Sequence, residues 1–156
     1  ELKEAGKEIP VFFSANMSLG INLLIALSKK AAALLGEDFD IEIIEKHHNQ
    51  KLDAPSGTAL AIADGISEVV KNPEYVYDRH SVRRKRRKNE IGLHAVRGGT
   101  IVGEHEVLFA GTDEVITLSH SAQSREVFAV GAVRAAKFLA GRSAGMYSMN
   151  DLVGSL

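Results

Sequence analysis

Glu45-Lys46-His47-His48-Asn49-Gln50-Lys51-Leu52-Asp53-Ala54-Pro55-Ser56-Gly57-Thr58 sets two adjacent imidazoles, an ammonium and a Ser-Gly-Thr turn within 14 residues. Just upstream, Phe39-Asp40-Ile41-Glu42-Ile43-Ile44-Glu45 alternates apolar and acidic side chains, the period of a half-buried strand. Just downstream, Ala59-Leu60-Ala61-Ile62-Ala63 is rich in helix formers, which makes Ser56 or Thr58 a natural N-cap. The histidines therefore fall at a strand end. The N–H groups of Ser56, Gly57 and Thr58 crown a helix N-terminus, where unpaired donors and the helix dipole favour an anion. An acid or base thus stands next to a seat for carboxylates.

Working outward, residues 1–7 read as a polar helix end and 9–13 as a short buried strand. Ser18 is expected to cap a helix through Leu35, with Leu19, Leu23, Ala26, Leu27, Ala31 and Leu34 at helical spacing and Gly36 as the stop. A helix over 56–70 follows the histidine loop, closed by Pro73, and the polar segment 75–89 carries no clear period. Strands are expected at 91–97, 100–110 and 114–121. Gly98-Gly99 would supply a tight turn between the first two, and Gly111-Thr112-Asp113 the next turn. Ser124 is expected to cap a last helix, 125–140, with an apolar face of Val127, Phe128, Val130, Val133 and Phe138. This order predicts an α+β fold, a mixed sheet of about four strands with helices on one face. Ile101, Val107, Phe109, Val115, Ile116 and Leu118 populate more than one face, so an apolar face is expected to need burial in an oligomer.

The run Glu-Lys-His-His-x-x-Lys-x-Asp-Ala-Pro-Ser-Gly-Thr-Ala from Glu45 to Ala59 resembles the signature of the 4-hydroxy-tetrahydrodipicolinate (dihydrodipicolinate) reductase family. Further segments resemble that family in the expected order. Ser14-Ala15-Asn16-Met17-Ser18-Leu19-Gly20-Ile21-Asn22 is similar to its interdomain junction, and Val96-Arg97-Gly98-Gly99-Thr100-Ile101-Val102-Gly103-Glu104-His105 to a strand-turn-strand. Ser119-His120-Ser121-Ala122-Gln123-Ser124-Arg125 is similar to its final strand and exit, and Met146-Tyr147-Ser148-Met149-Asn150-Asp151-Leu152-Val153 to its closing segment.

The resemblance implies the NADPH- or NADH-dependent reduction step of lysine biosynthesis by the diaminopimelate route. It further implies a cytoplasmic homotetramer whose sheets close a central barrel, and a small cyclic dicarboxylate as substrate. It divides the chain into 1–17, the end of a dinucleotide-binding domain and hinge; 18–124, for substrate binding and oligomerisation; and 125–156, a helix and tail returning to the nucleotide-binding domain. Family members begin with a Gly-rich turn after a first strand. Here Gly98-Gly99 and Gly103 lie between expected strands, so the chain is expected to be the C-terminal part of a longer enzyme, inactive alone.

The implied substrate is a nitrogen heterocycle with two flanking carboxylates. Its reduction needs hydride at a ring carbon of a conjugated imine and then a proton for the resulting enamine. His47 is expected to be the proton donor, since imidazole titrates near neutrality and can be charged beside a dianion. Lys51 supplies a compact positive charge for a carboxylate and the ring-nitrogen region, and is expected to assist catalysis. His48, Lys51, Ser56, Gly57 and Thr58 are expected to grip the substrate, while Asp53 orients the loop or Lys51. Asn16 and Met17 match the junction that presents backbone groups to the nicotinamide carboxamide, a role resting on resemblance alone. Arg97, Gly98 and Gly99 could reach a carboxylate, though a Gly-Gly turn is the simpler account.

Bulk properties bound these readings. The chain of 156 residues is long enough for one domain with its own core. A net charge of −1 argues neither for nucleic acid nor for a membrane surface as obligatory partner. No apolar run approaches the roughly 20 residues that span a bilayer. With Cys 0 there is neither disulfide nor thiolate metal site. The remaining histidines show no metal-ligand spacing, so no metal is expected. Arg83-Arg84-Lys85-Arg86-Arg87-Lys88 lacks aromatic interleaving and reads as a solvated loop, with nucleic-acid binding as the weaker alternative. The competing class is a non-catalytic oligomeric module that binds a dicarboxylate.

Overall fold

In the computed structural model, which describes residues 1–155, the chain runs α1 (Leu2–Ala5), β1 (Pro10–Phe12), α2 (Leu19–Leu35), β2 (Asp40–His47) and α3 (Gly57–Ser67). It continues with β3 (Glu74–Val76), β4 (Glu90–Arg97), β5 (Gly103–Ala110), β6 (Val115–Ala122), α4 (Glu126–Leu139), β7 (Gly145–Tyr147) and α5 (Met149–Gly154). The expected division 125–156 reaches one position, Leu156, that lies outside the described residues. The chain forms two units: Leu24–Gln123, and the terminal stretches Glu1–Leu23 with those from Ser124 onward.

The larger unit is a mixed five-stranded sheet ordered β3-β4-β2-β5-β6. β2 is central, parallel to β4 (Ile43 opposite Leu93) and antiparallel to β5 (Ile43 opposite Val107). The alternation in β2 is realised without a slip, buried at Ile41, Ile43, Glu45 and His47 and half-buried between. Ile41, Ile43, Ile91, Leu93, Val107 and Phe109 pack against Leu24 and Ala32 of α2 and Ala59, Ile62, Ala63 and Ile66 of α3. This is the one helix-covered face of an α+β domain. The fifth strand, β3, comes from the polar segment without a period and pairs in parallel with β4 through only three residues.

Several sequence expectations change. Gly98-Gly99 does not turn a hairpin, because β4 and β5 lie on opposite sides of β2. The link instead crosses the end of β2, where the Gly98 N–H donates to His47 O (2.9 Å) and the Asn49 N–H to Gly99 O (3.2 Å). The second sheet face is mixed rather than apolar, with Ile44, Val96, Leu108 and Val115 set among charged groups. Val107 and Phe109 face the helices, while Glu42, Lys46, His94, Glu104 and Glu106 alternate onto the other side, with Lys46 paired to Glu106 (2.7 Å) and Glu104 (3.3 Å).

The basic run is not a purely solvated loop. Arg86 reaches Asp40 (3.0 Å) and Glu42 (2.9 Å), Arg87 reaches Glu74 (3.1 Å), and Arg84 binds the buried Glu90, so half of the six cations are paired with carboxylates of the same chain. Residues Leu19–Asp38, α2 with the 3-10 turn that follows it, are long and apolar enough by length and composition to cross a membrane, against the sequence expectation. Leu24 and Ala32 on this helix are core residues, and Lys29 pairs with Glu68.

In the terminal unit β1 and β7 pair in parallel, Val11 opposite Met146. Ala135, Met149 and Leu152 form a small core with Phe12, Met17, Leu19 and Phe138. The packing face of α4 differs from the expected one. Phe128, Val130 and Val133 are exposed, and Gly131 and Ala135 are buried. A Cβ on Gly131 would stand 1.7 Å from the Met17 carbonyl oxygen, so only glycine admits this approach. Ser124 accepts from the Glu126 N–H (3.1 Å), but Arg125 occupies the N-cap position.

Candidate functional site

β2 carries an apolar face for two alternate positions and then turns polar: after Ile41 and Ile43, the same face presents Glu45 and His47. Glu45 is fully buried. Its Oε1 accepts from Ser56 N–H (3.0 Å) and Arg97 Nη2 (2.7 Å), and its Oε2 from Arg97 Nη1 (2.7 Å) and His47 Nδ1 (2.6 Å). Burial pushes the Glu45 carboxyl up, but the Arg97 fork, His47 and the Ser56 amide outweigh it and hold the group below the usual carboxylate range. Arg97 is correspondingly stabilised as a cation by Glu45. It also donates to Asp53 O (2.8 Å), so it ties the histidine loop to the sheet and is not a free carboxylate receptor.

His47 is 8% exposed, and its ring meets His105 in a T-shaped contact with ring centroids 5.2 Å apart. Its Nε2 lies over Gly103, where a Cβ would stand 3.1 Å away. His105 follows the same alternation on β5 and is opposite His120 on β6. Burial and the neighbouring His47 push His105 down to about 4, and burial lowers His120 as well. The buried Nδ1 atoms of both find no hydrogen-bond partner among the described residues. Those residues contain no group of three His, Cys, Asp or Glu able to hold a metal.

Ser56, Gly57 and Thr58 lie at a helix N-terminus, as expected. Ser56 is the N-cap of α3, its hydroxyl accepting from the Ala59 N–H (3.1 Å) while sharing a hydrogen bond with His105 Nε2 (3.2 Å). Ser56 is buried, and its amide and hydroxyl are engaged inside the protein, so it organises the turn; beyond it Gly57 is exposed, its backbone bonded to the Asp53 carboxylate, and Thr58 is half-buried. Lys51 pairs with Asp53 (2.8 Å), which keeps the Asp53 carboxyl below its ordinary range. The Lys51 N–H closes a turn onto His48 O (3.2 Å), and His48 is half-buried. His47, Ser56, Glu45, Arg97 and His105 thus form one connected cluster, with Lys51 and Asp53 on its loop.

Asn16 and Met17 belong to the terminal unit. Asn16 O accepts from Ser14 Oγ (2.9 Å) and Asn22 Nδ2 (2.9 Å), its Oδ1 accepts from the Ser18 N–H (2.9 Å), and Ser18 Oγ accepts from the Ile21 N–H (3.3 Å). The result is a turn held by its own side chains.

Sequence reasoning left Glu45 and His105 without a role in the site. The signal was present: with period 2, Ile41-x-Ile43-x-Glu45 and His105-x-Val107-x-Phe109 put a carboxylate and an imidazole in core register. A buried ionisable group on an otherwise apolar face is where function concentrates.

This fold and cluster define an α+β domain in which a buried carboxylate joins an imidazole to the N-terminus of a helix. Residues 20–153 match the family model described as dihydrodipicolinate reductase, C-terminus, and the chain belongs to that family. It is 67% identical over 97% of its length to the 4-hydroxy-tetrahydrodipicolinate reductase of Caldanaerobacter subterraneus subsp. tengcongensis, covering 61% of that protein. It is 54% identical over 99% of its length to the reductase of the same name from Clostridium novyi, covering 62%. The dipicolinate-bound dihydrodipicolinate reductase of Paenisporosarcina sp. TG-14 superposes with a TM-score of 0.73 at 28% identity, over 95% of this chain and 55% of that one. The chain therefore spans about three-fifths of the curated relatives it matches.

Proposed function

We propose that this chain carries the substrate-holding and proton-donating part of a 4-hydroxy-tetrahydrodipicolinate reductase, acting with NADPH or NADH in the diaminopimelate route to lysine. The supporting observation is the buried Glu45–His47 pair (2.6 Å), tied through Ser56 to the N-terminus of α3 in a member of this family. Dipicolinate, the ligand of the Paenisporosarcina protein, has two carboxylates flanking a ring nitrogen. A ligand of that shape suits a site with an anion-favouring helix end at one side and an ammonium on the loop.

In this reading Gly57 and Thr58 receive one carboxylate on the first turn of α3, with Ser56 holding the turn. Lys51, released from Asp53, and His48 receive the other and stabilise charge near the ring nitrogen. His47 delivers a proton from Nε2 to the enamine carbon, since Nδ1 is committed to Glu45. When bound, the nicotinamide supplies the hydride. Asn16 and Met17 would hold its carboxamide, and the internally braced turn at 14–18 fits that use because a braced backbone presents its remaining groups without reordering. No Gly-rich strand-to-helix turn lies among the described residues, so the pyrophosphate contacts are not assigned to this chain.

The divisions 1–17, 18–124 and 125–156, a homotetrameric assembly and a cytoplasmic setting complete the proposal. The test is a chimera joining the amino-terminal part of the Caldanaerobacter reductase to this chain, assayed for oxidation of NADPH and NADH. Turnover that His47→Gln reduces by roughly 100-fold or more supports the reading. No turnover by the chimera beside an active Caldanaerobacter enzyme, or an indifferent His47→Gln, rejects it.

A further inference from the structure

We infer that Glu45 is the positioning residue of the site: one buried carboxylate fixes which nitrogen of His47 carries the transferable proton and how far that ring stands from the anion seat. The inference rests on the proposed reductase reading and deepens it. A carboxylate on the apolar face of a central strand is costly unless every lone pair is used. Here each oxygen accepts two hydrogen bonds, one of each pair from the Arg97 fork. The remaining bonds go to the two parts of the site, His47 Nδ1 on Oε2 and the Ser56 N–H on Oε1.

An ionised carboxylate only accepts, so the atom of His47 that faces it must bear hydrogen. The neutral ring is then the Nδ1–H tautomer, and Nε2 is the atom that gains and gives the proton. Nε2 lies over Gly103, where a side chain would intrude, and the His105 ring packs against the His47 ring in a T-shaped contact. Because Ser56 is at once the N-cap of α3 and a ligand of Glu45, the carboxylate also ties the ring to the helix end that receives the substrate anion. Arg97 in turn holds Glu45 and, through Asp53 O, the loop that carries Lys51. Glu45 touches neither substrate nor cofactor in this account; it acts through His47.

Two measurements test this independently. Nitrogen NMR of this chain with labelled histidine reads the tautomer of neutral His47 without any substitution. A dominant Nδ1–H ring is expected, and a dominant Nε2–H ring overturns the inference even if the chimera is active. In the chimera, Glu45→Gln is expected to lower kcat by roughly 100-fold while KM changes less than about fivefold, and to add less than about threefold to the loss caused by His47→Gln. Equal and multiplicative losses in the two backgrounds, or an unchanged kcat, overturn it. Should Glu45→Gln unfold, Arg97→Lys, which keeps the charge and breaks the fork, is read the same way with a smaller expected drop in kcat. An inactive chimera with the Nδ1–H tautomer present rejects the reductase reading and leaves the hold of Glu45 on His47 standing.

Discussion

Replacing His105 by Gln removes a titration that couples the fold of the larger unit to pH. The His105 imidazole is 3% exposed and pushed down to about 4, first by burial and then by the charge of His47. In an unfolded chain it titrates at about 6.5. Below that value the unfolded chain takes up a proton that the native protein refuses. Native stability from this group is therefore whole above 6.5, falls as pH drops toward 4, and levels off below it. Between pH 7 and pH 5 the two pKa values correspond to a loss of about 1.8 kcal/mol, a factor of about 20 in the unfolding constant. Gln retains a polar group that can meet the Ser56 hydroxyl and does not titrate. Urea unfolding followed by circular dichroism at the two pH values gives four free energies. His47, Glu45, His120 and Lys51, the charged groups facing His105, stay in both proteins, so their own titrations cancel to first order in the comparison. The wild type is expected to lose about 1.8 kcal/mol more than His105→Gln over this range. Equal losses in the two proteins refute the reasoning.

Other substitutions probe the remaining contacts. Gly131→Ala places a Cβ 1.7 Å from the Met17 carbonyl oxygen; a backbone shift is unavoidable, and a loss of roughly 2–4 kcal/mol in the terminal unit is expected, read as earlier proteolysis beyond Ser124. Gly103→Ala puts a Cβ 3.1 Å from His47 Nε2, so the ring must give by a few tenths of an ångström; kcat of the chimera is expected to fall about tenfold with little change in melting temperature. Glu90 is held down to about 2, burial raising it and Arg79 and Arg84 outweighing burial, from an ordinary value of 4.5. Its contribution is whole above the ordinary value and lost as pH falls toward 2, so Glu90→Gln should flatten the acid limb of the stability profile in that window.

The strand at 39–45, the cap at Ser56 and the stop at Gly36 were legible because each is written locally, in alternation, a hydroxyl before helix formers, or a glycine at positive φ (60°). Pairing order was not. Gly98-Gly99 between two apolar runs has the local signature of a hairpin. What excludes one is that β2 lies between β4 and β5, a fact set by the α3 crossover and not by the turn. The mixed character of the second face was hidden for a related reason, since Val107 and Phe109 declare an alternation but not which side the helices cover. Arg84, Arg86 and Arg87 read as a solvated run because Asp40, Glu42, Glu74 and Glu90, their partners, are scattered through the chain. The placement of His47 at a strand end and of Lys51 on the loop was legible from the motif, whereas the contact of Arg97, which lies in a separate segment, with Glu45 shows only once β4 is laid beside β2.

In the proposed function the His47–Lys51 loop and the α3 N-terminus together seat a cyclic dicarboxylate. Calorimetric titration of pyridine-2,6-dicarboxylate into the chimera, wild type against Lys51→Ala, tests it most directly. One saturable site per chain is expected, weakened by about tenfold or more in Lys51→Ala through loss of a charge-assisted contact. Absence of binding, or the same affinity in both proteins, contradicts it.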